Sequence, residues 1–324
     1  MPRALITGIT GQDGSYLAEL LLSRGYEVVG LLRRHSAENR WRIAGLQDRL
    51  TLVYGDMADL VSLMDVLSEH QPDEIYNLAA QSFVAESWKQ PLLTSDVTGL
   101  GAMRLFEAVR RECPAARVYQ ASSSEMFGTA PDDVQNERTP FHPRSPYGVA
   151  KVFAHHAAVN YRESYGLWIA CGVLFNHESP RRGLEFVTRK ISDGVARIVS
   201  GKADRLTLGN MHVSRDWGYA GDYVEAMWRM LQHDEPDDFV VATGVTTTVE
   251  RFAELAFACG GLDYRDYVVS DPALQRPAEI YSLRGDATRA MERLGWQPEC
   301  ELPHLVAKMV EADVARHCAG GSAT

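Results

Sequence analysis

Short apolar runs alternate with longer stretches of helical period through the first half of the chain. Ala4 to Thr7 is the first run and stops at Gly8, as a strand buried on both faces of a parallel sheet does. Gly8-Ile9-Thr10-Gly11-Gln12-Asp13-Gly14 follows, then Tyr16-Leu17 and Leu20-Leu21-Leu22 at helical spacing, with Gly25 placed to end the helix. A second run, Glu27 to Leu32, completes a βαβ unit of about thirty residues. The same alternation predicts strands at Thr51–Tyr54, Glu74–Leu78, Arg117–Ala121 and Trp168–Leu174. Helices are predicted over Leu60–Leu67, Thr98–Arg111 and from Tyr147 to Tyr165. Such alternation reads as α/β, a doubly wound parallel sheet of Rossmann type. Beyond Gly183 it lapses into polar segments (Phe186–Lys190, Arg215–Tyr219, Arg276–Glu279) between helices, which reads as a second, smaller mixed α/β lobe. The expected division is a dinucleotide-binding domain over 1–175, to which later segments can return. A substrate-binding lobe over 176–318 and a disordered tail over 319–324 complete it.

The glycines of Gly8-x-x-Gly11-x-x-Gly14 lie between a strand and a helix. There they let the backbone approach a pyrophosphate, while the helix N-terminus offers N–H groups and the positive end of its dipole. The end of the second strand selects the dinucleotide. An Asp or Glu there would bind a ribose 2′-hydroxyl, but this chain has Arg33-Arg34-His35-Ser36. Guanidinium groups suit a 2′-phosphate, so the expected cofactor is NADP. Asp56 follows the third strand, where it could contact the adenine, and Leu78-Ala79-Ala80-Gln81-Ser82 opens the fourth strand's end with small residues that leave room for a ligand.

The candidate chemistry lies in Ala121-Ser122-Ser123-Ser124-Glu125 and Tyr147-Gly148-Val149-Ala150-Lys151. Tyr147 and Lys151 are four apart and share a helix face. An ammonium beside a phenol favours the phenolate, which makes Tyr147 a general base or acid near neutral pH. Ser123 can hydrogen-bond the same substrate oxygen. Together with a nicotinamide these groups mean hydride transfer from an alcohol carbon. Glu125 is the additional element, because a 4,6-dehydratase needs a base for the C5 proton whereas a 4-epimerase or simple reductase does not. Arg182, Lys190, Arg215 and Arg276 are read together as anion binders for a nucleotide-sugar diphosphate.

Composition narrows the partners. With 324 residues, 45% hydrophobic and 23% charged, the chain can bury a full core. Its net charge of -10 argues against a nucleic-acid or anionic-membrane surface. Five scattered cysteines read as reduced thiols, and no apolar run approaches membrane-spanning length, so a cytoplasmic location is expected. His155 and His156 are adjacent and diverge on a helix, so no metal site is expected.

These motifs resemble the extended short-chain dehydrogenase/reductases, and most closely the GDP-mannose 4,6-dehydratases. The matching segments are Thr7 to Leu17, Arg33-Arg34 with Ser36, Tyr76 to Ser82, Pro143 to Tyr147, Asn176 to Gly183, Phe186 to Lys190, Arg215 to Gly218 and Arg276 to Glu279. The resemblance implies that Gly8, Thr10, Gly11, Gln12, Asp13 and Gly14 line the NADP pyrophosphate, with Arg33 near the 2′-phosphate. It implies that Asp56, Met57, Leu78, Ala80, Ser82, Tyr147, Lys151, His177 and Arg182 complete the cofactor site. Ser82, Asn176, Val187, Lys190, Arg215, Arg276 and Glu279 would hold the GDP-sugar. It further implies a tetramer in which the Arg33–Arg42 segment meets a neighbouring subunit. The family usually has Thr where this chain has Ser123. The hydroxyl is kept and a methyl is lost, so GDP-mannose is the expected substrate and a GDP-heptose the alternative.

Overall fold

The computed structural model describes residues 1–34, 39–271, 273 and 280–319. Six parallel strands follow the expected βα alternation: β1 (Arg3–Thr7), β2 (Glu27–Leu32), β3 (Thr51–Tyr54), β4 (Glu74–Asn77), β5 (Arg117–Ser123) and β6 (Ile169–Leu174). Their connections carry α1 (Gln12–Ser23), α2 (Leu60–His70), α3 (Val84–Lys89), α4 (Pro91–Thr94), α5 (Gly101–Glu112) and α6 (Pro146–Tyr165). Ser95–Leu100 winds as a π-helical turn before α5, so the predicted Thr98–Arg111 helix begins with a wider turn. Thr98 Oγ1 there accepts from the backbone N–H of Gln81 at 3.1 Å, tying this turn to the loop after β4.

After β6 come β7 (Asn176–Glu178), α7 (Val187–Val199), β8 (Leu206–Leu208), β9 (Ser214–Tyr219) and α8 (Ala220–Gln232). Then follow β10 (Asp238–Val241), β11 (Thr246–Thr248), α9 (Val249–Cys259), β12 (Val268–Ser270), α10 (Thr288–Leu294) and α11 (Leu302–Cys318). The main sheet has the order β10-β6-β5-β4-β1-β2-β3, with two small sheets, β11-β9-β7 and β12-β8. Two of the polar segments expected between helices belong to elements, and Arg276–Glu279 lies outside the described residues. Phe186 is the residue before α7, and Arg215 lies inside β9.

Alternate residues of each central strand face opposite sides, and both sides are covered. Ala4 and Ile6 join the layer with Leu17, Leu21, Tyr223 and Met227, whereas Leu5 joins Leu63, Phe106 and Val109. That explains why the strands read as continuous apolar runs rather than alternating ones. A third core, with Ile191, Phe252, Phe257 and Met309, holds α7, α9 and α11 together.

Gly14 sets how closely α1 crosses β1. A Cβ there would sit 2.4 Å from the Gly8 carbonyl oxygen and 2.8 Å from Ile9 Cα, both backbone atoms that cannot yield locally. We expect Gly14→Ala to lower the unfolding free energy by about 1–3 kcal/mol, as overpacking does. Gly45→Ala, with nothing within 4 Å of the new Cβ, serves as the neutral comparison. Urea denaturation of the two variants checks this.

Candidate active site

Strand order reverses between β1 and β4, which leaves a crevice at their carboxyl ends where open α/β sheets take ligands. Here the crevice is a cleft of about 940 Å³. Its walls come from the β1, β4 and β5 ends, the start of α6, and the segments around β7, α7 and β9. Among the predicted cofactor residues, Gly8, Thr10, Gly11, Gln12, Asp13, Gly14, Arg33, Asp56, Met57, Leu78, Ala80, Ser82, His177 and Arg182 all line it. So do Ser123, Glu125, Tyr147 and Lys151, and on the far side Asn176, Val187, Lys190 and Arg215. Arg276 and Glu279 lie outside the described residues.

The glycine end suits a dinucleotide. No side chain caps α1, whose first turn opens on the cleft at Gly11, Gln12 and Asp13, the arrangement that receives a phosphate. Thr7 Oγ1 accepts from the Leu78 and Ala79 backbone N–H groups at 3.0 and 3.1 Å, holding the β4 exit open beside it. Arg33 is exposed at the end of β2 and lines the same cleft, with no acidic side chain at the Leu31–Arg34 positions that would repel a 2′-phosphate. These residues fit NADP.

Arg42 is a further cation in this wall. Its Nε donates to the Arg181 carbonyl at 2.6 Å and its Nη1 to the Thr10 carbonyl at 3.3 Å. Sequence reasoning placed Arg42 only in the Arg33–Arg42 subunit contact. Nothing local in the sequence marks a side chain that reaches back across more than thirty residues to the glycine loop.

The reacting groups are assembled by α6. Ser145 caps it, accepting from the Gly148 N–H at 3.0 Å, and Pro146 occupies the first helical position, where its fixed φ is suited. A Cβ on Gly148 would meet the Glu125 carbonyl oxygen at 2.7 Å. The helix therefore starts hard against the short turn Ser124–Met126 that carries Glu125. Ser123 caps that turn, accepting from the Glu125 N–H at 3.2 Å, and its hydroxyl also hydrogen-bonds the Tyr147 phenol. Glu125, Tyr147 and Lys151 are all buried.

Lys151 shares a face of α6 with Tyr147 but makes its direct hydrogen bond elsewhere. Its Nζ lies 5.8 Å from the centre of the Tyr147 ring and donates to the Ala121 carbonyl at 2.7 Å. Burial lowers the ammonium to about 8, against the pull of Asp13. Burial likewise pushes the Tyr147 phenol up to about 12; the Ser123 hydrogen bond opposes this and the Glu125 charge adds to it. In this cleft desolvation of the phenolate outweighs the neighbouring cations.

On the opposite wall, Arg182 stacks on Phe186 at 3.6 Å from the ring centre and pairs with Glu178 at 3.2 Å. Glu178 is buried and also accepts from Thr188. Arg215 donates from Nη1 to the Ser214 and Ile280 carbonyls at 2.8 Å each, so part of its guanidinium braces backbone rather than facing ligand. Glu178, Phe186 and Trp217 line the cleft without having been singled out. Glu178 and Phe186 lie beside the Arg182 and Lys190 motifs, but a motif alone does not say which neighbours point inward.

One group of possible metal ligands exists among the described residues, His155, Cys171 and Asp238, with ligand atoms within 4.8 Å of one another. The His155 ring does not diverge from His156, whose centre lies 5.6 Å away edge to face, and the fold brings it to β6 and β10. Arg162 grips both Asp238 oxygens, at 2.9 and 3.2 Å. A cation bound there would have to displace that guanidinium.

The family model for GDP-mannose 4,6 dehydratase matches residues 5–309. The chain belongs to this family. It is 52% identical over 323 residues to GDP-mannose 4,6 dehydratase 1 of Arabidopsis thaliana, covering 96% of this chain and 89% of that one. It is 47% identical over 339 residues to the Homo sapiens GDP-mannose 4,6 dehydratase, covering 96% and 91%. Among solved structures, the Streptomyces venezuelae dTDP-glucose 4,6-dehydratase DesIV superposes with a TM-score of 0.87 at 23% identity, covering 98% of each chain. That similarity speaks for the fold, the Rossmann-like architecture expected from the strand pattern. In this member of the GDP-mannose 4,6-dehydratase family, Ser123 supplies the hydroxyl that bonds Tyr147.

Because the Ser123 hydrogen bond draws the Tyr147 phenol downward, Ser123→Ala should move the acid limb of the pH–rate profile, where Tyr147 loses its proton, to higher pH. Each unit of movement costs about tenfold in rate at pH 7. Ser123→Thr keeps the hydroxyl and should leave the profile in place. Rates measured from pH 6 to 10 separate these outcomes.

Proposed function

We propose that this chain converts GDP-mannose to GDP-4-keto-6-deoxymannose with loss of water, using NADP without net redox change. As a GDP-mannose 4,6-dehydratase family member it is a hydro-lyase. The observation that carries the residue roles is Glu125, buried in the same cleft as Ser123, Tyr147 and Lys151 and fixed against the start of α6.

Tyr147, as phenolate, takes the O4 proton, with Ser123 hydrogen-bonding the same oxygen. Bound NADP supplies the hydride acceptor for C4 and later the donor for C6, and its oxidised nicotinamide adds a positive charge that favours the Tyr147 phenolate. The new 4-keto group acidifies C5, and Glu125 removes that proton. Glu125 then protonates the departing C6 hydroxyl, which leaves as water. As C6 is reduced, C5 takes a proton and Tyr147 gives up the one it took from O4, so the turnover closes with loss of water alone. Lys151, buried and held to the Ala121 carbonyl, is positioned to orient the cofactor ribose. A 4-epimerase or 4-keto reductase would share Tyr147 and Lys151 and leave Glu125 idle.

Residues 1–175 would mainly hold NADP and residues 176–318 the GDP-sugar, with Lys190 and Arg215 on its diphosphate. A tetramer in which the Arg33–Arg42 segment meets a neighbouring subunit is proposed from the family resemblance. An exposed apolar patch with Leu92, Leu100, Met103, Val149 and Phe153 is a second surface suited to a copy of the chain. No helix among the described residues is long and apolar enough to cross a membrane; a cytoplasmic location is proposed.

The reading requires that GDP-mannose lose water with catalytic NADP and no added reductant. Reduction that consumed NADPH mole for mole would overturn it. In Glu125→Gln, hydride abstraction should proceed and elimination stall, so NADPH fluorescence persists and turnover drops by about 10²–10⁴. Arg33→Ala should weaken NADP binding by about tenfold or more and leave NAD binding nearly unchanged, since only the 2′-phosphate contact is lost. Titration of each dinucleotide by protein fluorescence gives the two affinities.

A further inference from the structure

His177 presents both ring nitrogens to acceptors. Its Nδ1 lies 2.7 Å from the Phe175 carbonyl oxygen and its Nε2 2.9 Å from Asp13 Oδ2. A carbonyl can only accept, so Nδ1 carries a hydrogen. An ionised carboxylate can only accept as well, so Nε2 carries the other. A neutral imidazole has one N–H, and two require the cation. The ring is 8% exposed and lies against Tyr223, with centroids 4.6 Å apart and planes at 23°, a face that attracts a cation.

Asp13 is held in the ionised form that this argument needs. Burial would raise its carboxyl, but the His177 charge, the bonds from His177 and Gln12 and the nearby Arg182 together bring it to about 2. Gln12 itself is fixed. Its Nε2 donates to Asp13 Oδ1 and to the His177 carbonyl, each at 3.0 Å, and its Oε1 accepts from Ser179 at 2.7 Å. The first turn of α1 and the strand after β6 are thereby clasped across the floor of the cleft. Unbalanced, the Asp13 charge would act on what surrounds it. It opposes ionisation of Tyr147 and attracts the Lys151 ammonium, and it stands beside the glycine loop.

We propose that His177 is a doubly protonated positioning residue that neutralises Asp13, so that this carboxylate neither repels the cofactor pyrophosphate nor holds Tyr147 in its phenol form. The inference deepens the dehydratase reading and rests on it for the role of Tyr147, but not for the charge of His177. The groups facing His177 are Asp13 from α1, Arg182 from the loop after β7, and Tyr223 from α8; beyond Asp13 stand Tyr147 and Lys151 of α6. Burial and Arg182 lower the His177 proton affinity, while Asp13 and the Phe175 carbonyl raise it, and the net shift is upward. The sign follows. The clasp is complete below the ordinary histidine range and is lost as pH rises through the raised His177 value. On the acid side it is lost as pH falls from the ordinary carboxylate range through about 2.

Ring ¹⁵N shifts of His177 in the full cofactor-free chain test the charge directly. Both nitrogens should show imidazolium shifts at pH 7, whereas one protonated and one bare nitrogen would overturn the proposal. His177→Asn leaves Asp13 unbalanced, so NADP affinity should fall about tenfold and the acid limb of the pH–rate profile, set by Tyr147, should move up by about one unit. Asp13→Asn/His177→Asn removes the stranded charge and should bring that profile back toward wild type. A double variant no better than His177→Asn would reduce the residue to packing and sink the proposal. Should His177→Asn fail to fold, the ¹⁵N result on the unaltered chain still decides the charge. Imidazolium shifts without loss of water from GDP-mannose would count against the dehydratase reading alone.

Discussion

Everything in the cleft depends on the place where a parallel sheet changes direction. All strands of the main sheet point their carboxyl ends one way, and β1 and β4 send their following helices to opposite faces. No crossover covers the gap between those two ends. The Thr7 side chain, bonded to Asn77 Oδ1 at 2.8 Å and to two N–H groups beyond β4, keeps that gap at fixed width. Once the gap exists, α1 must present its N-terminus to it, and only a residue without a Cβ at position 14 lets α1 pack that closely. The glycine loop is first a packing requirement of the sheet and then a phosphate site.

The second wall is built on a different principle, buried ion pairs in place of sheet hydrogen bonds. Arg189 donates to both Asp313 oxygens at 2.6–3.0 Å and to the Pro180 and Arg182 carbonyls, and Ser192 adds a bond at 2.6 Å. Arg189 and Asp313 are both buried. Replacing one partner of such a pair strands the other charge, which costs about 3–5 kcal/mol. The pair fixes the 180–189 loop, and with it Arg182, Val187 and Lys190, to the C-terminal helix more than a hundred residues away. That explains how a segment with little regular structure can hold cleft residues in register with α6.

Much of this was legible in the sequence, for identifiable reasons. The strands β1, β2, β4, β5 and β6 are buried on both faces and bounded by Gly or polar turns, so their apolar runs stand out; β3 lies at the sheet edge, half-exposed, yet ends where its run ends. The helix of Tyr147 is bounded by local features, Ser145, Pro146 and the αL Gly166. What the sequence did not reveal depends on contacts between distant segments. Asp238–Val241 joins the main sheet beside β6, yet four residues after a helix carry no mark of which sheet they enter. The π-helical turn at Ser95–Leu100 hides within a helical pattern. Arg42, Glu178 and the doubly bonded His177 acquire their surroundings only when the glycine loop and the β7 region meet.

The Tyr–Lys pair shows most clearly why spacing is not yet chemistry. Four residues on a helix do set Tyr147 and Lys151 on one side, but burial acts on each ion before their mutual attraction does. It disfavours phenolate and ammonium together, raising one group and lowering the other. Lys151 then satisfies itself on the nearest carbonyl, Ala121. A base working near neutral pH must therefore draw its stabilisation from elsewhere: from the Ser123 hydroxyl, from the positive charge of an oxidised nicotinamide, and from keeping Asp13 neutralised by His177.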